Sequence, residues 1–173
     1  MEYRIEKLSD QNIQDLIPIY KNAVNDEIDP LLLKNKFDTE FTGFKNVGYI
    51  AYSPKNEPAA FYGVLPCFLN YEGEKILIAQ SGNTMTHKKH RRKNLFVILA
   101  EKTFEYCREN NIKLVYGFPN EFSYLSFVKK LGWTHDENIQ TYITKTTCIP
   151  LIRFQSIAKL SDAILLKHAH KIL

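Results

Sequence analysis

Thr86-His87-Lys88-Lys89-His90-Arg91-Arg92-Lys93-Asn94-Leu95-Phe96 is the stretch on which the reading of this chain turns. Five of its basic residues (Lys88, Lys89, Arg91, Arg92, Lys93) crowd into positions 88–93. The stretch leads from an extended run at Thr84–Thr86 into an amphipathic segment that follows Asn94. Free N–H groups and a partial positive charge at a helix N-terminus attract phosphate, and neighbouring Arg and Lys strengthen that attraction. A phosphate-bearing ligand is therefore the first candidate. The competing reading is a solvated charge run that happens to precede a helix.

Downstream, Asn94 is expected to cap a helix whose Leu95, Ile98, Leu99, Thr103, Tyr106 and Cys107 share one side. Asn110-Asn111 ends it, because Asn accepts the left-handed conformation. Ile112–Phe118 follows as an apolar strand covered on both faces. Pro119-Asn120 opens another helix, with Asn120 as its cap. Lys129, Lys130 and Gly132 suit its end. Thr141–Thr147, rich in β-branched residues, is expected to be the last strand.

Upstream, Tyr3 and Ile5 alternate with charges as in a short strand. Ser9 resembles an N-cap for a helix carrying Ile13, Leu16, Ile17 and Tyr20, and Asp29-Pro30 starts a second helix through Phe37. Val47–Tyr52, Ala59–Leu69 and Lys75–Gln80 are strands joined by turns at 53–58 and 70–74. Ser81-Gly82-Asn83 interrupts the third strand, and a Gly there marks a bulge or a close backbone approach. The order β-α-α-β-β-β-α-β-α-β implies an α/β (α+β-like) mixed sheet with helices on its faces. Its strand–helix–strand crossover is right-handed.

With 173 residues the chain is about one domain. Apolar residues make up 45% and aromatics 13%, which argues against disorder. No apolar run reaches the roughly 20 residues that cross a bilayer, and the charged start lacks a signal-peptide pattern. The expected setting is cytoplasmic, without a membrane partner. Cys67, Cys107 and Cys148 form no CxxC pair, so neither a metal site nor a disulfide framework is expected. The net charge of +4 is concentrated in one patch, which suits an anionic ligand better than a duplex-length footprint. The domain is drawn at 1–148. An extension at 149–173 has Phe154, Ile157, Ala158, Leu160, Ile164 and Leu165 on a candidate helix face, which would allow a homodimer.

This element order, with Arg91-Arg92-Lys93-Asn94-Leu95-Phe96 at the strand–helix junction, resembles the GCN5-related N-acetyltransferase (GNAT) family. That family's motif there is Q/R-x-x-G-x-G/A. Gly117-Phe118-Pro119-Asn120, followed by Phe127 and Lys130-Leu131-Gly132-Trp133, is similar to the family's later helix and strand. The likeness covers residues 1–147. It implies a centrally splayed sheet and acetyl-CoA as co-substrate, with no metal. It also implies transfer of the acetyl group to the primary amine of a small molecule, an amino sugar or amino acid, by direct attack.

By the same resemblance, Thr84, Met85 and Thr86 would pair with the pantetheine arm. The N–H groups of Arg91, Arg92, Lys93, Asn94 and Leu95 would meet the pyrophosphate, with Phe96, Asn120 and Phe127 nearby. A backbone N–H near Met85 would polarise the thioester carbonyl. Arg92 and Asn94 stand where the family most often has Gly. Phe127 stands nearest the family's acidic Tyr and has no proton to give, with Tyr124 one turn earlier. For the base, Glu27, Glu121 and His87 are candidates. Tyr142 is a candidate pocket residue. Two other readings compete: an inactive acyl-CoA-binding module of the same fold, and a nucleic-acid binder using 88–93. The second lacks interleaved aromatics.

Overall fold

A computed structural model describes residues 2–136, which up to His135 form one compact unit. The expected strand at 141–147 with Tyr142, the boundary after 148 and the apolar face of 154–165 lie outside the described residues.

Five strands make a mixed sheet in chain order: β1 (Arg4–Lys7), β2 (Gly48–Tyr52), β3 (Pro58–Tyr71), β4 (Glu74–Thr86) and β5 (Val115–Gly117). Short turns join β2, β3 and β4, which therefore pair antiparallel, and β1 pairs antiparallel with β2 across the longer, helical connection between them. The crossover helix α3 (Leu95–Glu109) makes β4 and β5 parallel. The remaining helices are α1 (Leu16–Val24), α2 (Pro30–Phe37) and α4 (Glu121–Leu131).

Alternation along the strands divides the core into two layers. Ala51, Ala60 and Tyr62 pack with Leu95, Leu99 and Cys107 of α3 and Phe127 of α4. Ile50, Tyr52 and Phe61 pack with Leu16 and Ile19 of α1 and Leu33 and Phe37 of α2. The helices thus cover both faces.

β4 is continuous through 81–83, where an interruption was expected, and the Gly signal there corresponds to a bulge. Gly63 pairs with Asn83 and Val64 with Ser81, which leaves Gly82 as the extra residue. The insertion reverses the alternation. Ala79 packs in the α3 layer while Met85, an even number of residues on, packs in the α1–α2 layer.

Local chemistry explains the helix ends. Asp29 Oδ1 accepts the Leu31 N–H at 2.8 Å, and Pro30 occupies the first helical position, where an N–H is not needed. Ser9 is not a cap for α1. Its N–H donates to Asn12 Oδ1 (2.8 Å) and its carbonyl accepts from Ile13 (3.0 Å), closing a turn before a 3-10 segment at Ile13–Asp15. In α3 the buried stripe runs through Leu95, Leu99, Thr103 and Cys107. Ile98 lies off it and is exposed, while Val97 is buried instead. The Thr103 hydroxyl donates to the Leu99 carbonyl at 2.8 Å, which satisfies a buried polar group.

β5 is shorter than the apolar run 112–118 and is not covered on both faces. Ile112 is buried before the strand begins, whereas Leu114 and Phe118 are exposed. The Lys113 N–H to Leu77 carbonyl bond (2.9 Å) carries the ladder back beyond its formal start. At its other end pairing stops at Gly117, where the chain leaves the sheet.

Candidate active site

β4 and β5 pair at Ala79–Val115, Gln80–Tyr116 and Ser81–Gly117, and nowhere beyond. From Gly82 to Thr86, β4 keeps β3 on one side and, among the described residues, has no strand on the other. The divergence opens a cleft of about 240 Å³. One wall is Ser81 to Met85 of β4, and the other is Gly117 to Asn120 with Ser123 and Phe127. Tyr20 and Val24 of α1 and Trp133 complete the lining.

β4 delivers the chain from this cleft directly into the basic loop. A 3-10 turn at Lys88–His90 follows, with His87 Nδ1 accepting the Lys89 N–H at 3.2 Å. Arg92 (φ 62°) and Asn94 (φ 59°) both adopt the left-handed conformation. These are the two positions where the family that the sequence resembles most often has Gly, and that backbone is one Gly reaches without penalty. Asn94 sits at the N-cap position, but its side chain makes no capping bond, because the left-handed turn does not provide the extended cap geometry. The first ladder bond of α3 runs from Ile98 N–H to the Asn94 carbonyl (3.2 Å). The N–H groups of Leu95, Phe96 and Val97 therefore precede the helical ladder. Arg91, Arg92 and Lys93 are all exposed beside them.

The loop is anchored at both ends of the local sequence. Tyr3 Oη lies 2.9 Å from His90 Nδ1, and Lys93 Nζ is 5.5 Å above the Tyr3 ring. The Lys88 N–H donates to Asn22 Oδ1 of α1 at 2.7 Å. Burial, then the charge of Lys93, holds the His90 imidazole below its ordinary pKa.

Behind the cleft stands an aromatic cluster. Phe127 contacts Trp133 (4.5 Å between centroids), Phe96 (5.1 Å) and Tyr62 (6.4 Å). The fully buried Tyr62 places its hydroxyl 2.8 Å from Ser81 Oγ, where the strands part. Burial pushes that phenol far above its ordinary pKa, so it stays protonated.

Of the residues singled out in the sequence, Thr84, Met85, Asn120 and Phe127 line the cleft, and Arg91 to Phe96 form the adjoining loop and helix start. Asn120 also caps α4, its Oδ1 accepting from the Ser123 N–H at 3.0 Å. The structure does not bring Tyr124 or Glu27 to the lining. Tyr124 is half-buried, edge-on to His135 at 5.4 Å. Glu27 is exposed and accepts from Lys21 Nζ at 2.7 Å, and this contact lowers its carboxyl pKa. Glu121 is exposed at the start of α4, and His87 flanks the loop. Sequence reasoning missed Ser81, Asn83, Gly117 and the α1 residues Tyr20 and Val24 as site residues. Only the Gly82 signal pointed to this part of β4. Among the described residues no cluster of His, Cys, Asp or Glu could hold a metal ion, and no helix is long and apolar enough to cross a membrane.

The family model described as an acetyltransferase (GNAT) domain matches residues 4–135. No curated protein sequence matches the chain. Among solved structures, an acetyltransferase from Trypanosoma brucei is similar at a TM-score of 0.62 and 14% identity, covering 82% of this chain and 100% of that one. Glucosamine-6-phosphate N-acetyltransferase from Arabidopsis thaliana is similar at 0.63 and 12%, covering 83% and 99%. An aminoglycoside 6'-N-acetyltransferase from Acinetobacter haemolyticus is similar at 0.60 and 13%, also covering 83% and 99%.

Proposed function

Since the chain belongs to the GNAT acetyltransferase family, an N-acetyltransferase family whose co-substrate is acetyl-CoA, we propose that it acetylates the primary amine of a small cytoplasmic molecule, an amino sugar or amino acid. One observation carries this reading: β4, whose residues Ser81 to Met85 wall the cleft beside β5, runs straight into the basic, left-handed loop at the start of α3. That juxtaposition suits a ligand with an acyl arm at one end and a pyrophosphate at the other.

In this reading the side chains of Arg91 and Lys93 and the free N–H groups at the start of α3 hold the pyrophosphate. The edge of β4 from Thr84 to Thr86, unpaired among the described residues, offers backbone partners to the pantetheine amides. A β4 backbone N–H, in or near the bulge, polarises the thioester carbonyl and then holds the oxyanion. The amine nitrogen attacks the carbonyl carbon, the C–S bond breaks, the ammonium loses its proton and the thiolate gains one. Ser81 stands closer to the strand divergence than Tyr124 and has an exchangeable proton, whereas Phe127 has none.

Calorimetry with acetyl-CoA tests the reading, alongside the Arg91→Ala, Lys93→Ala double variant. Binding by the parent is expected, with at least about a tenfold loss in the variant from two charge-assisted contacts. Free CoA should then be released with some member of a primary-amine panel. A parent that does not bind acetyl-CoA would sink the proposal.

A further inference from the structure

Asn83 is turned toward α2 because of the bulge at Gly82, which reverses the alternation of β4. There its Oδ1 accepts a hydrogen bond from Lys36 Nζ at 3.0 Å. Asn83 lines the cleft beside Tyr20 and Val24 of α1, and the Lys36 ammonium, outside the lining itself, is one hydrogen bond behind it. Lys36 is exposed as a residue, yet its ammonium is crowded enough for desolvation to lower its pKa. Among the described residues it forms no ion pair, and its one side-chain partner is a neutral amide. A partly desolvated cation is stabilised by an anion, and here none is supplied by the described protein. Nor, among the described residues, does any Asp or Glu line the cleft to attract a polycationic acceptor.

We propose that Lys36, held by Asn83, is the anion-recognition point of the acceptor site, so that the acceptor is a primary amine bearing a carboxylate or a phosphate. This rests on the acetyl-transfer reading above and narrows its substrate class. Lys36 acts on specificity, and the amine of the acceptor remains the nucleophile.

The test is CoA release with matched pairs: an α-amino acid against its carboxamide, and glucosamine 6-phosphate against glucosamine. In one pair the anionic member should show at least a tenfold higher kcat/KM, and the pair in which it does identifies carboxylate or phosphate. Lys36→Gln should remove the preference mainly through KM, and Lys36→Arg should restore it. Equal rates within both pairs would overturn the inference. So would a Lys36→Gln variant that slows both members of a pair alike, the mark of a purely structural tie. Loss of kcat in Lys36→Arg with KM unchanged would assign Lys36 to proton transfer and overturn it too. No release from any of the four amines, with acetyl-CoA still bound, would overturn the small-amine reading and the inference with it. Release from the neutral amines alone overturns only the inference.

Discussion

Arg92 carries a left-handed backbone that a non-glycine side chain adopts at a cost of roughly 1–2 kcal/mol. Arg92→Gly should therefore raise the stability of the fold by about 1 kcal/mol, read as a higher Tm, while weakening acetyl-CoA binding by the loss of one cation. His90 makes a second prediction. Its folded pKa lies below the ordinary 6.5, so the unfolded chain takes up a proton first as pH falls. The stability it permits is complete above about pH 6.5 and is lost as pH drops toward the folded value. The Tm measured near pH 5.5 should fall below that near pH 7.5, and His90→Gln should flatten the difference. At this scale the sequence was legible where a residue acts on its own neighbours, as Asp29 and Asn120 do in capping their helices. The tie between Lys36 and Asn83 spans 47 positions and depends on a bulge, so no local pattern could reveal it.

Gly117 makes the last β4–β5 pair, with Ser81, and leaves little room there for a side chain. A Cβ there would lie 3.1 Å from Ser81 Cβ and 3.3 Å from both the Ser81 carbonyl oxygen and the Trp133 ring. Gly117→Val would add two further carbons at the mouth of the divergence. Acetyl-CoA binding should be lost in calorimetry while circular dichroism still reports a folded protein. The helices and the strand order were legible because periodicities of 3.6 and 2 survive in the sequence. The extent of β5 was not: an apolar run gives no sign of where its chain leaves the sheet, and Phe118 is apolar because it lines the cleft. Likewise the start of α1 was misplaced, since Ser9 and Asn12 close a turn with the same groups that would make a cap.

Across the whole unit, the sheet separates an α1–α2 layer, which walls the proposed acceptor side, from an α3–α4 layer, whose helix α3 begins at the proposed phosphate loop. The fold class and the splay followed from element order and family likeness. The proposed acceptor surface did not, because it is assembled from α1, α2 and β4 residues scattered along the chain. One bond bridges the two proposed sites: the Lys88 N–H of the loop donates to Asn22 Oδ1 of α1 at 2.7 Å. The bond ties the loop to the helix, so on the proposed reading filling either site should bias the other, reciprocally by linkage. Saturating CoA should lower the dissociation constant of the amine, and the amine should tighten CoA by the same factor. Replacing Asn22 with Ala should bring that factor toward one, leaving two half-sites that fill without regard to each other.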